Sequence, residues 1–161
     1  MKNLNERQRA LLSERRIASV VTLSEDGMPH VTPVWFLHED GVFLIAIAST
    51  SAKGRNLARD GRMALMLDRR EVYEETGFSV CGNGEILTDE KASEVVRRVL
   101  EKYITGDGMR DPAVGPVFAA IDDIAVRLKP IREITWDMPD LDRQAFGGQL
   151  RSGEYLKPVA P

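Results

Sequence analysis

The sequence predicts a mainly β protein of the α+β class, with helices flanking a meander of hairpins that closes as a barrel or a sandwich. Three observations predict it. Short β-branched runs alternate with turn clusters as far as Leu67, a further apolar run is interrupted by Gly82-Asn83-Gly84, and a helix with one apolar face follows from Asp89.

Taken in order, Asn3 to Arg15 carries Leu4, Leu11 and Leu12 among charged residues, which suits a short amphipathic helix. Ile17 to Leu23 reads as a first strand, closed by Ser24-Glu25-Asp26-Gly27. Val31 to Leu37 is a second strand. Its Pro33 has no N–H for a ladder, so this strand belongs at an edge or bulge. Val42 to Ile47 is a third strand, apolar throughout and therefore buried.

The stretch Ser49-Thr50-Ser51-Ala52-Lys53-Gly54-Arg55-Asn56-Leu57 carries the strongest chemical signal. Ser51 is a suitable N-cap for a helix from about Ala52 to Arg59, ending before Asp60-Gly61. Lys53 then lies in the first turn, where the macrodipole makes a cation unfavourable by roughly 0.3–1 kcal/mol. An anion would relieve this: free backbone N–H groups, three hydroxyls and a Lys together suit a phosphate. The bland alternative is a surface helix whose cations face water. Gly54, which costs about 1 kcal/mol against Ala in a helix, marks a close backbone approach.

Met63 to Leu67 is a fourth strand and Phe78 to Leu87 a fifth, joined by a charged connection. The glycines at 82 and 84 lack the strand-to-helix context of a dinucleotide loop and read as a bulge or barrel corner. Asp89 is expected to cap a helix in which Ala92, Val95, Val96, Val99, Leu100 and Tyr103 share a face. Gly106-Asp107-Gly108 breaks it, and Asp111-Pro112 begins a short helix through Val117, Phe118 and Ile121. Ile124 to Trp136 is the last strand, bent at Pro130. Residues 1–137 thus form one domain, and 138–161, with Pro139, Gly147-Gly148, Gly153, Pro158 and Pro161, an irregular tail.

The 161 residues allow one domain with a real core. A net charge of −3 and a pI near 5.5 argue against nucleic acid or an anionic membrane as partner. No apolar stretch approaches the ~20 residues of a membrane span and the N-terminus lacks a signal-peptide core, so a cytoplasmic protein is expected. Cys81 is the one cysteine and reads as a structural thiol. His30 and His38 lack metal-ligand spacing and read as surface or turn residues, with His30 the better candidate for lining a cleft. No metal site or Ser/His/Asp signature is present, which leaves His30 or solvent as a protonating group.

Gly27-Met28-Pro29-His30-Val31-Thr32-Pro33-Val34-Trp35-Phe36, the Ser49 to Arg62 segment and the closing Ile134-Thr135-Trp136-Asp137 together resemble the pyridoxamine 5′-phosphate oxidase-like superfamily of flavin-binding split β-barrels. The resemblance implies a six-stranded antiparallel split barrel, a homodimer, and FMN or the deazaflavin F420 in a groove shared by two subunits. By position, it assigns the cofactor phosphate to Ser49, Thr50, Ser51, Lys53 and Asn56. It assigns the ring to Thr32, Pro33, Val34 and Trp35, with Trp136 near the cofactor from the partner subunit.

The chain departs from a true pyridoxamine phosphate oxidase. Thr32 and Ala52 stand where that enzyme has Arg, Leu37 stands near its Lys, and its substrate-binding Arg/His pattern is missing after Trp136. Vitamin B6 oxidation is therefore not expected, and the Lys-Gly-Arg-Asn-Leu run resembles the short F420-dependent relatives. The resemblance implies hydride transfer, with F420 favoured and FMN next, to or from a small, largely apolar substrate. In such enzymes the ring carries the chemistry and the protein supplies position and electrostatics. The alternatives are a non-catalytic flavin- or haem-binding module for storage, delivery or sensing, and a barrel that has lost its cofactor.

Overall fold

In the computed structural model, residues 1, 3–150, 155 and 157 are described. Eight strands are present: β1 (Ala18–Leu23), β2 (Pro29–Val34), β3 (Leu37–Glu39), β4 (Val42–Ile47), β5 (Arg62–Arg69), β6 (Thr76–Leu87), β7 (Ile124–Leu128) and β8 (Arg132–Asp137). They pair antiparallel in the order β2-β1-β5-β6-β7-β4-β3, and β8 also pairs with β6. The helices are α1 (Glu6–Ser13), α2 (Ala52–Arg59), α3 (Asp89–Tyr103), α4 (Gly106–Arg110), α5 (Gly115–Ile121) and α6 (Met138–Phe146). The architecture is the expected half-barrel of antiparallel strands with helices around it.

Two of the six expected strands are each divided, which gives eight. The second breaks at Trp35-Phe36, where α3 satisfies the backbone in place of a ladder: the Phe36 carbonyl accepts from Lys102 Nζ at 3.2 Å and its N–H donates to the Tyr103 hydroxyl at 3.4 Å. The last breaks around Pro130. Its halves run along one edge of β6, with β7 opposite Gly84 to Leu87 and β8 opposite Thr76 to Cys81. Between them β6 bends at the two glycines. A Cβ on Gly82 would sit 2.5 Å from the Lys129 carbonyl, and one on Gly84 would sit 2.6 Å from Met63 Sδ. The interruption is a barrel corner, as its spacing predicts.

The main core fills the curl of the sheet, with Phe36, Phe43, Phe78, Leu65 and Leu67 fully buried. A second cluster joins the apolar face of α3 (Ala92, Val95, Val96, Val99, Leu100) to Leu44 and Ala46 of β4 and Ala125 of β7. The cap of α3 is Thr88; Asp89 is the first helical residue, at a φ of 57°. α4 stands where the sequence reads a break.

The irregular tail expected from Met138 is corrected over its first nine residues, which form α6. Asp137 caps this helix by accepting from the Asp140 N–H at 2.8 Å, and Gly147 ends it at a φ of 62°. Of the tail beyond 150, all but 155 and 157 lies outside the described residues. Among the described residues no helix is long and apolar enough to cross a membrane.

Candidate functional site

α2 begins and ends where its sequence places it. The Ser51 hydroxyl accepts from the Gly54 N–H at 3.1 Å and donates to the Ala48 carbonyl at 2.6 Å, which fixes the turn out of β4. No acidic residue occupies the first turn, so Lys53 meets the positive end of the helix uncompensated. Its ammonium makes no hydrogen bond or ion pair among the described residues.

Lys53 borders a cleft of about 460 Å³. Pro33, Val34 and Trp35 line it from β2 and the residue after it, Ala46 from β4 and Val99 from α3. Phe118 and Ile121 of α5, Asp122 just beyond it, and Ile17 complete the lining. The volume falls in the range of small-molecule sites, and an apolar lining with two charged groups is their usual composition. Trp35 stacks on Tyr103 with ring centroids 4.9 Å apart and planes 2° apart, and on Phe118 at 5.4 Å. The Tyr103 hydroxyl donates to the Arg16 carbonyl at 2.6 Å, so this stack is tied to the approach to β1.

Asp122 and Lys53 are the charged residues of the cleft. Burial pushes the Asp122 carboxyl above its ordinary range, Lys53 draws it down, and Asp123 beside it pushes it up. No hydrogen bond or ion pair engages the Asp122 carboxylate among the described residues.

Four of the ten expected cofactor residues, Pro33, Val34, Trp35 and Lys53, meet at this cleft. Thr32 precedes them on β2 with a buried Oγ1 that has no partner. The remaining five do other things. The Ser49 N–H and hydroxyl both donate to the Asp123 carboxylate, each at 2.6 Å, and the Ser51 hydroxyl is the helix cap. Thr50 is exposed, and its carbonyl takes the Arg55 guanidinium. Asn56 is buried and donates to the Thr22 hydroxyl at 3.0 Å, which ties α2 to β1. Trp136 lies on β8 outside the cleft, its ring over Gly77 and its carbonyl accepting from Gln8 Nε2 at 2.9 Å.

Two of the three hydroxyls at the start of α2, those of Ser49 and Ser51, already have partners within the chain. Gly54 is likewise explained internally, since a Cβ there would lie 2.5 Å from the Ala48 carbonyl oxygen. Phe118, Ile121 and Asp122 were not singled out as site residues in the sequence. Their short helix carries no motif, and the fold alone brings it over Trp35.

An unpaired cation and an apolar wall ending in a Trp fit an anionic group joined to a flat apolar ring. Neither histidine lines the cleft.

A family model described as pyridoxamine 5′-phosphate oxidase matches residues 4–129. The chain is similar to a conserved hypothetical protein of Mycobacterium tuberculosis, at 26% identity and a TM-score of 0.69, covering 86% of this chain and 88% of that one. It shares its fold with an F420 reductase at 21% identity and a TM-score of 0.64, covering 81% and 98% of the two chains. It also shares its fold with HupZ of Group A Streptococcus, at 16% identity and a TM-score of 0.62, covering 83% and 94%. No functionally curated protein matches the sequence.

Proposed function

We propose that this chain, which belongs to the pyridoxamine 5′-phosphate oxidase family, is a cytoplasmic oxidoreductase that holds F420, or failing that FMN, in the cleft beside Lys53. The observation that carries the reading is the unpaired Lys53 at one side of an apolar cleft that includes Pro33, Val34 and Trp35. The fold it shares with an F420 reductase favours the deazaflavin. When bound, the ring supplies hydride chemistry.

The chain's own residues do the rest. Lys53 holds the negative charge, and the Thr32 hydroxyl, beside Pro33 on β2, is without a partner among the described residues and is free to supply a hydrogen bond. Trp35, fixed by Tyr103, and the side chains of Val34 and Phe118 exclude water from one ring face. The substrate this suits is small and largely apolar, such as an enone or quinone.

The reading extends to a homodimer. The cross-strand rows Pro33, Ser19, Met66, Ser79, Ile134 and Val31, Val21, Ala64, Cys81, Arg132 share one face of the sheet. Val31 and Ile134 on that face are 60% and 62% exposed, an apolar surface of the kind that a self-complementary contact covers. Trp136 alternates with Ile134 on β8 and so shares the face. A two-fold pairing would carry Trp136 of the partner subunit toward the Pro33 edge. Light scattering is expected to give a dimer, and Ile134→Asp a monomer.

Titration with F420 and with FMN, read by fluorescence, tests the main reading. Lys53→Ala should weaken binding roughly ten- to a hundredfold, as expected for a lost charge-assisted contact of about 1–3 kcal/mol. The bonds already made by Ser49 and Ser51 favour a second reading, a barrel without cofactor. Failure of F420, FMN and haem alike to bind would establish it.

A further inference from the structure

We infer that Asp122 is the proton donor of the cleft, the group that completes reduction of a conjugated carbonyl by protonating the carbon next to it. The inference rests on the proposed redox function and adds a residue to it.

The geometry is specific. Asp122 follows α5 as its C-cap, with its N–H donating to the Phe118 carbonyl, so the backbone fixes where the carboxyl enters the cleft. It shares the cleft with the apolar side chains of Val99, Phe118 and Ile121 and with Lys53, whose charge acts on its carboxyl. A half-buried carboxyl with no hydrogen bond is costly when ionised, and the carbonyl end of α5 disfavours the anion further.

The charged groups around it are Lys53 of α2, Asp123 next in sequence, and Arg97 of α3, which borders a neighbouring hollow with both aspartates. Arg97 is engaged by Glu94 and Glu101 on its own helix. The Tyr103 phenol of α3, raised by burial, stays neutral. Among the described residues Lys53 is the cation that draws on the Asp122 carboxyl. With the cofactor's negative charge against Lys53 that pull is weakened, so the acid keeps its proton until the reaction, which is what a donor needs.

The step balances. The substrate's β-carbon gains a hydrogen with two electrons from the reduced flavin or deazaflavin. The carbon–carbon π pair moves to the α-carbon, which forms its bond to the Asp122 proton as the O–H bond breaks. Water returns a proton to the carboxylate, and the cofactor leaves oxidised.

Two measurements test this. In the free protein carrying Trp136→Phe, Trp35 emission should titrate with a midpoint above the ordinary Asp value of about 3.9, and Asp122→Asn should abolish that step. In the loaded protein with cyclohexenone as acceptor, Asp122→Asn should lower kcat about 100-fold, with cofactor binding retained or tightened, and should remove the alkaline limb of the pH profile. Asp122→Glu should restore part of the rate, which separates proton donation from a merely structural role.

A Trp35 titration identical with and without the carboxyl, or an Asn variant with the wild-type pH profile, would overturn the inference while leaving cofactor binding intact. Absence of binding by either cofactor would overturn the parent reading and this one with it.

Discussion

The Asp123 carboxylate takes both donors of Ser49, the backbone N–H and the hydroxyl, at 2.6 Å each. These bonds hold the Asp123 carboxyl below the usual carboxylate range. An anion of the chain itself therefore occupies donors that a phosphate would use. Removing it with Asp123→Ala should tighten binding of F420 or FMN about tenfold, by freeing charge-assisted bonds for the ligand. Titration reads the result directly; weaker binding would show instead that Asp123 positions the turn.

Asn56 separates structure from cofactor binding. Its amide is buried against the Thr22 hydroxyl, itself fully buried. Asn56→Ala should cost about 1–3 kcal/mol in urea unfolding, because Thr22 is left without its partner. Cofactor affinity should change less than about twofold, within the usual scatter of a mutation away from a contact. A large loss of affinity at wild-type stability would return Asn56 to the site.

Gly54→Ala sets two effects against each other. Helix propensity favours Ala by about 1 kcal/mol. The new methyl, however, would lie 2.5 Å from the Ala48 carbonyl oxygen and 2.6 Å from that of Ser49, both backbone atoms, the first of them held by the Ser51 hydroxyl. Overlap of this kind costs about 1–3 kcal/mol or more, so the variant should be destabilised. A raised denaturation midpoint would show that α2 can shift outward.

Asp137 should make stability depend on acid. Burial pushes its carboxyl up, but bonds from Asn5, Thr76 and the Asp140 N–H, together with Arg7, outweigh this and hold it below the ordinary value. A carboxyl lowered on folding contributes stability that is fully present above the unfolded value of about 3.9 and is lost as pH falls through the folded one. Asp137→Asn should therefore cost about 1–3 kcal/mol at pH 7 and progressively less below pH ~4. Urea midpoints across that range provide the check; parallel curves would contradict it.

Local chemistry made α2 legible to the residue, since Ser51 and the Asp60-Gly61 turn act within a few positions of the helix they bound. Pro33 and Lys53 were legible as odd residues in their places, a proline in a strand and a cation at a positive helix end, whereas Trp35 came to the site through the family resemblance alone. The fate of Ser49 was not. It depends on the pairing of Ile47 with Ile124, which brings Asp123 alongside, and no local pattern encodes that register. The division of the second strand was hidden likewise, because the partners at its break are Lys102 and Tyr103 on a distant helix, whereas Pro130 marked the bend at which the last strand divides. Asp122 escaped notice because its meaning comes from what surrounds it, not from its neighbours in sequence.

β2 ends the hydrogen-bonded path of the sheet. Alternate amides of a strand face the same edge, so Pro29 and Pro33 stand with Val31 on one side and leave it a single N–H. The rim facing away from β1 is thereby closed to strand addition, the route by which exposed sheets recruit further chains into aggregates. The two prolines let an apolar hollow stay open to small molecules while denying a foothold to a stray polypeptide.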